Sequence, residues 1–310
     1  MKIELASPVN RMLPALLACL FFLQCAEEPK EEHMDPEMVS LITNAKATAE
    51  ENWNVSFLLD LSDRIDTVKY PNPAMEYYER DAAYILTIAE LFNAHLRAKP
   101  LRIWNDKIQI YFDPEPSNSN INTISEELKY HFTRQNATQE ILEEFLEKYT
   151  SNPKKIYELA IEKGLYVGSD TWGFFKNKVK PYCIDQQYRN ILIILTDGYI
   201  FHVNNRKTEG NRTSFLTPED VKRKRLTDSS WRERMENEDF GFIPAIEGLD
   251  NLEILVLNIN PSTNSPYEED VLRAYWSDWF EKMGVLRYEI QTSDLPSNIK
   301  KVIKDFLFDS

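Results

Sequence analysis

Asp60, Ser62, Thr196 and Asp197 are short oxygen-bearing side chains, and each pair follows an apolar run: 56–59 leads into Asp60-x-Ser62, and 191–195 leads into Thr196-Asp197-Gly198. Carboxylate and hydroxyl oxygens of this kind are the hard donors that Mg²⁺ or Mn²⁺ takes. Asp60, Ser62 and Asp197 are therefore the candidate metal ligands. The same residue types have a second use: at strand ends they often only satisfy loop amides and each other.

What must position them are two buried strands. A short apolar run bounded by turn formers reads as a central strand of a parallel sheet. In open α/β folds the ligand crevice lies beyond the carboxyl ends of such strands. Further strand patterns fall at 101–112, 252–259 and 285–290, and helical patterns at 75–98, 125–132, 138–149, 153–163, 172–179, 217–236, 266–283 and 298–308. This alternation predicts an α/β fold, a doubly wound and mostly parallel sheet flanked by helices, with no repeat and no second core.

Asp60-x-Ser62 after one strand and Thr196-Asp197-Gly198 after a later one resemble the von Willebrand factor A domain. The resemblance covers roughly residues 52–308 and implies a domain at 51–310 with a metal-ion-dependent adhesion site on a Rossmann-type three-layer fold. It implies a threonine ligand from an intervening loop, for which Thr171 is best placed and Ser169 second. It also implies a protein partner, with the metal's remaining position filled by water or by a carboxylate from that partner. The family's first loop reads Asp-x-Ser-x-Ser; this chain departs from it with Arg64 at the last position and with a proline-containing loop, 64–73, before the next helix. A guanidinium there either pairs with Asp60 or Asp197 and fills the metal's place, or turns outward and leaves the pocket open. The alternatives are a metal-free assembly scaffold and a haloacid-dehalogenase-like phosphatase. In the latter, Asp60 is the nucleophile and Thr196 holds the phosphoryl group. That family's second aspartate is Ser62 here, which removes the general acid. No catalytic residue is assigned, and a non-enzymatic binding module is expected.

Composition sets the remaining bounds. A net charge of −14 over 310 residues argues against a nucleic-acid partner. With 8 glycines there is neither GxGxxG nor GxxxxGK[ST], so no phosphate-cradling loop is expected. The four histidines, His33, His95, His131 and His202, show no ligand spacing and are expected at the surface or rim. The basic run 222–225 is expected to be a solvated helix face. Residues 1–25 read as a bacterial lipoprotein signal: residues 12–23 are an apolar core too short to span a bilayer. Cys25, at the apolar-to-polar boundary, is the expected lipidation site, with Cys19 the alternative. Residues 26–50 read as an acidic tether that turns helical around 35–50. The expected location is the bacterial cell envelope, with membrane attachment through the lipid alone. Cys183 is the single thiol of the body, which leaves no disulfide framework and no cysteine metal cluster within it.

Overall fold

The strand that ends at Asp60, β1 (Trp53–Leu59), is buried along its whole length, as a central parallel strand covered on both faces must be. The computed structural model describes residues 36–309 apart from 165, 167, 263 and 264. The expected signal segment, Cys19, Cys25 and the start of the expected tether lie outside the described residues. The other sheet strands are β2 (Asn105–Tyr111), β3 (Tyr130–Thr133), β4 (Arg189–Leu195), β5 (Glu253–Ile259) and β6 (Arg287–Thr292). Their order is β6-β5-β4-β1-β2-β3, with every pair parallel except β2–β3. The order reverses between β1 and β4, so the carboxyl ends of these two strands form the switch point where doubly wound folds open a crevice. The register Leu59↔Leu195 brings those ends level.

The period-2 alternation of side chains divides the core into two layers. Val55, Phe57 and Leu59 pack on one face with helices α1 (Pro36–Ala45), α2 (Tyr77–Ala98), α4 (Gln139–Lys163) and α10 (Pro296–Phe308). Leu58, Leu192 and Ile194 pack on the other, with α5 (Thr171–Asn177), α6 (Val179–Cys183) and α9 (Glu268–Met283). Trp276, Trp279 and Phe280 of α9 are fully buried there. Cys183, also fully buried, closes α6; its carbonyl accepts from Asn54 Nδ2 at 3.0 Å, and burial pushes its thiol up to about 12. The fold is thus the three-layer α/β arrangement expected.

Several local expectations change. A helix expected over 125–132 ends sooner: α3 (Ser119–Glu127) stops and β3 follows, antiparallel on the sheet edge. The alternation of Tyr130, exposed His131 and buried Phe132 is a strand pattern four residues long, too short to stand out by periodicity. The helices expected at 138–149 and 153–163 are one, running through Pro153. Proline there removes one backbone donor, but buried Phe145, Tyr149, Ile156 and Tyr157 on either side anchor the helix to the core. The helix expected over 217–236 is two, α7 (Pro218–Arg223) and α8 (Trp231–Asn237), separated where Arg225 takes φ 55°. Within the basic run, Lys224 is half-buried against the Phe240 ring rather than solvated, and burial lowers its amine to about 8. Helix α1 starts at Pro36, and its Leu41 and Ala45 join the main core, so part of the expected tether belongs to the domain.

His95 is also corrected: it is fully buried, not at the rim. Its ring stacks on Trp53 at 3.8 Å, its Nε2 lies 3.1 Å from Asp106 Oδ1 and its Nδ1 3.3 Å from the Thr48 hydroxyl. Lys99 Nζ donates to the other Asp106 oxygen at 2.7 Å. This polar network ties β1, β2, α2 and the segment before β1 together at the amino edge of the sheet, opposite the switch point. Burial lowers the pKa of His95.

Candidate functional site at the sheet switch point

The site begins with backbone pairing. The Asp60 amide donates to Leu195 O at 3.1 Å, the Thr196 amide to Leu257 O at 3.2 Å, and the Asn260 amide to Asp197 O at 2.9 Å. The chain segments leaving β1, β4 and β5 are thereby laced together, with Asp60 and Asp197 on one edge. Gly198 is required where it stands: its φ is +100°, and a Cβ would come 2.8 Å from Ile259 Cδ1. Trp276 Nε1 donates to Gly198 O at 2.8 Å and fixes the turn from outside.

Asp60 is 2 % exposed. Its Oδ1 accepts from the Ser62 amide at 2.8 Å and its Oδ2 from the Thr196 hydroxyl at 3.0 Å. Arg64 is turned inward and is 5 % exposed. Its Nη2 donates to Asp81 Oδ2 and, at 3.0 Å, to Leu195 O; its Nε donates to Asp60 O at 3.2 Å and lies 3.5 Å from Asp60 Oδ2. Asp81 is fully buried on α2, and its other oxygen accepts from Asn258 Nδ2 at 2.8 Å. Burial works against the charge on Arg64, but Asp81 and then Asp60 more than offset it, so the guanidinium is held protonated above its usual range. Asp197 is half-buried. Its Oδ1 accepts from the Tyr199 amide at 3.0 Å, while its Oδ2 has no donor among the described residues. Burial, and next the Asp60 carboxylate, pushes Asp197 up to about 7.

A pocket of about 230 Å³ opens over this edge. Asp60, Ser62 and Asp197 line it together. Thr171, the fourth expected ligand, is not among the lining residues: it is the first residue of α5, 1 % exposed, with its hydroxyl 3.1 Å from Ser169 Oγ. Ser169, the second choice, lines the pocket instead, because Gly168–Ser169 pairs antiparallel with Phe201–His202 and is drawn against the segment beyond Gly198. A wider groove of about 1260 Å³ adjoins it, sharing Asp63, Gly168 and Phe201. The rim carries exposed apolar side chains: Tyr70 at 43 %, Phe201 at 39 % and Val203 at 66 %.

These donors suit a divalent ion poorly. Mg²⁺ demands a near-octahedral oxygen shell, yet both Asp60 oxygens already accept hydrogen bonds and a permanent cation, Arg64, lies 3.5 Å from one of them. Of the two orientations open to Arg64, the inward one is found, but its principal partner is Asp81 rather than Asp197.

Asp81 and Asn258 complete the site and were missed, although each left a signal. Asp81, Ile85, Ile88 and Phe92 share one helical face, and an acid on such a face calls for a buried cation. Asn258 interrupts the apolar run of β5, at φ +76° and beside a register shift between Val256 and Ile259. Comparison with known proteins finds no family model that matches the chain and no curated protein that matches it.

Proposed function

We propose that the chain is a lipid-anchored binding module of the bacterial cell envelope that engages a protein partner through the loops at the carboxyl edge of its sheet. In this von Willebrand A-like reading the site works without a metal, and the Arg64 guanidinium serves as the fixed cation that organises Asp60 and Asp81. The observation that carries the proposal is the pocket at the β1–β4 switch point, lined by Asp60, Ser62 and Asp197 with exposed Tyr70 and Phe201, and continued by the groove that exposed Val203 lines. Scattered surface apolar residues are ordinary, but aromatic and aliphatic side chains grouped around a polar pocket are the composition of a protein interface. A phosphatase is disfavoured by Ser62, which stands where that family's general acid would be.

Two measurements test this. A photo-crosslinking residue at Glu219, on the pocket wall, should give a discrete adduct in the native envelope, while one at Asp250, beyond the opposite edge, should not; adducts of equal yield would remove the edge as the interface. Mg²⁺ should leave the melting temperature of the chain unchanged, since only ligands that bind the folded state raise it. A rise that Asp197→Ala abolishes would restore the metal site, and turnover of a generic phosphate ester lost in Asp60→Asn would restore the enzyme.

A further inference from the structure

We infer that the switch-point pocket takes a primary ammonium group, the side chain of a lysine on the partner protein. This rests on the binding reading above and specifies its chemistry.

Several acceptors that line the pocket are left without a donor. Among the described residues Asp197 Oδ2 has no partner, and Glu219, exposed on the wall, makes no ion pair or hydrogen bond. A third acceptor lies deeper. Asn258 is 1 % exposed and lines the pocket, and its Oδ1 has no hydrogen-bond partner. Its amide cannot be turned round, because Nδ2 faces two acceptors, Asp81 Oδ1 at 2.8 Å and Tyr77 O at 3.2 Å. A buried acceptor left unpaired costs free energy, and its partial negative charge beside the pocket favours a cation there.

Charge points the same way. Four acids line the pocket, Asp60, Asp63, Asp197 and Glu219, against Arg64. Arg64 is spent on Asp81 and Asp60, and Asp63 is paired with Lys69 at 2.9 Å. Asp197 and Glu219 remain. A partner carboxylate would meet these acids with no free cation among the lining residues to receive it. A divalent ion would have to share Asp60 with the guanidinium. An ammonium avoids both difficulties: it is a single charge with three donors. The rings of Tyr70, Tyr77, Tyr199 and Phe201 also line the pocket, and aromatic faces attract ammonium groups. A cation beside Asp197 also favours its ionised form, so binding releases a proton below neutral pH.

The test is a titration of the full chain with Nα-acetyl-lysine amide at constant ionic strength. The readout is the indole N–H resonance of Trp276, which reports the Gly198 turn. A saturable shift is expected, weakened about tenfold or more, equivalent to 1.4 kcal/mol, by Asp197→Asn and by acetylating the probe's ε-amine, and unchanged by Asp250→Asn. Saturation by MgCl₂ but not by the lysine probe would replace the ammonium with a metal. Equal weakening in Asp197→Asn and Asp250→Asn, or no saturation, would reduce the effect to general attraction by an acidic protein and overturn the inference. If the probe fails while Glu219 still crosslinks a partner, the binding edge stands and its lysine chemistry falls; if both fail, the binding reading falls with it.

Discussion

Replacing Arg64 with methionine keeps the volume of the aliphatic stem and removes the guanidinium. The cost follows from what is stranded. Asp81, fully buried, keeps Asn258 as a donor but loses its only cation, and Leu195 O and Asp60 O each lose a donor. Breaking a buried pair from one side costs about 3–5 kcal/mol. Asp81 has one escape, which is to take up a proton. From an ordinary carboxyl pKa that costs about three pKa units at pH 7, or about 4 kcal/mol, and little more than one unit at pH 5. The expected loss is therefore about 3–4 kcal/mol at pH 7, falling to about 2 at pH 5. Urea unfolding of wild type, Arg64→Met and Arg64→Met/Asp81→Asn at both pH values measures it from midpoints at constant slope. The double variant should recover most of the loss, since no stranded charge remains. A loss under about 1 kcal/mol at pH 7, or no recovery in the double variant, would refute the assignment of Arg64 as the buried cation of the site.

The remaining predictions concern neighbouring groups. Asp197 has its carboxyl raised from 3.8 to about 7, so the native state holds a proton that the unfolded state has lost. The stability this confers is complete at low pH and disappears as pH rises through about 7, and Asp197→Asn should accordingly stabilise the chain more at pH 8 than at pH 5. The ceiling is about 4 kcal/mol, and opening onto the pocket reduces it to about 1–2 by solvent screening; thermal melts at the two pH values decide. His95 has the opposite sense: its folded pKa lies below 6.5 through burial, so stability falls as pH drops below 6.5, and His95→Gln should flatten that part of the pH–stability curve. Gly198→Ala should cost about 1–3 kcal/mol from backbone strain and the contact with Ile259, visible as a lower melting temperature and a displaced Trp276 indole resonance.

The sheet was legible because its central strands are buried on both faces and so read as unbroken apolar runs; 56–59 and 191–195 needed no other cue. Asp60 and Asp197 were legible for a related reason, since each is the first carboxylate after such a run. Their neighbours in space were harder to read. Asp81 lies far along the chain from Arg64, and only the fold brings a helix face beneath the loop. Thr171 and Ser169 differ by a two-residue step, and the choice between them depends on the short pairing of Gly168–Ser169 with Phe201–His202, which no local propensity encodes. Pro153 misled for the converse reason: a local rule against proline in helices was overridden by the buried residues on either side of it.

Cys183 has a practical consequence for work on this molecule. Among the described residues it is the sole cysteine, sealed beneath the sheet with its thiol pushed up to about 12. Alkylating reagents need a thiolate in contact with solvent, so Cys183 should be silent to them in the folded chain, and its modification would time the opening of the layer that holds α6 against β1 and β4. With Cys19 and Cys25 replaced by serine, one cysteine introduced at the pocket rim would carry a dye or spin label alone and make the switch-point edge observable without disturbing it.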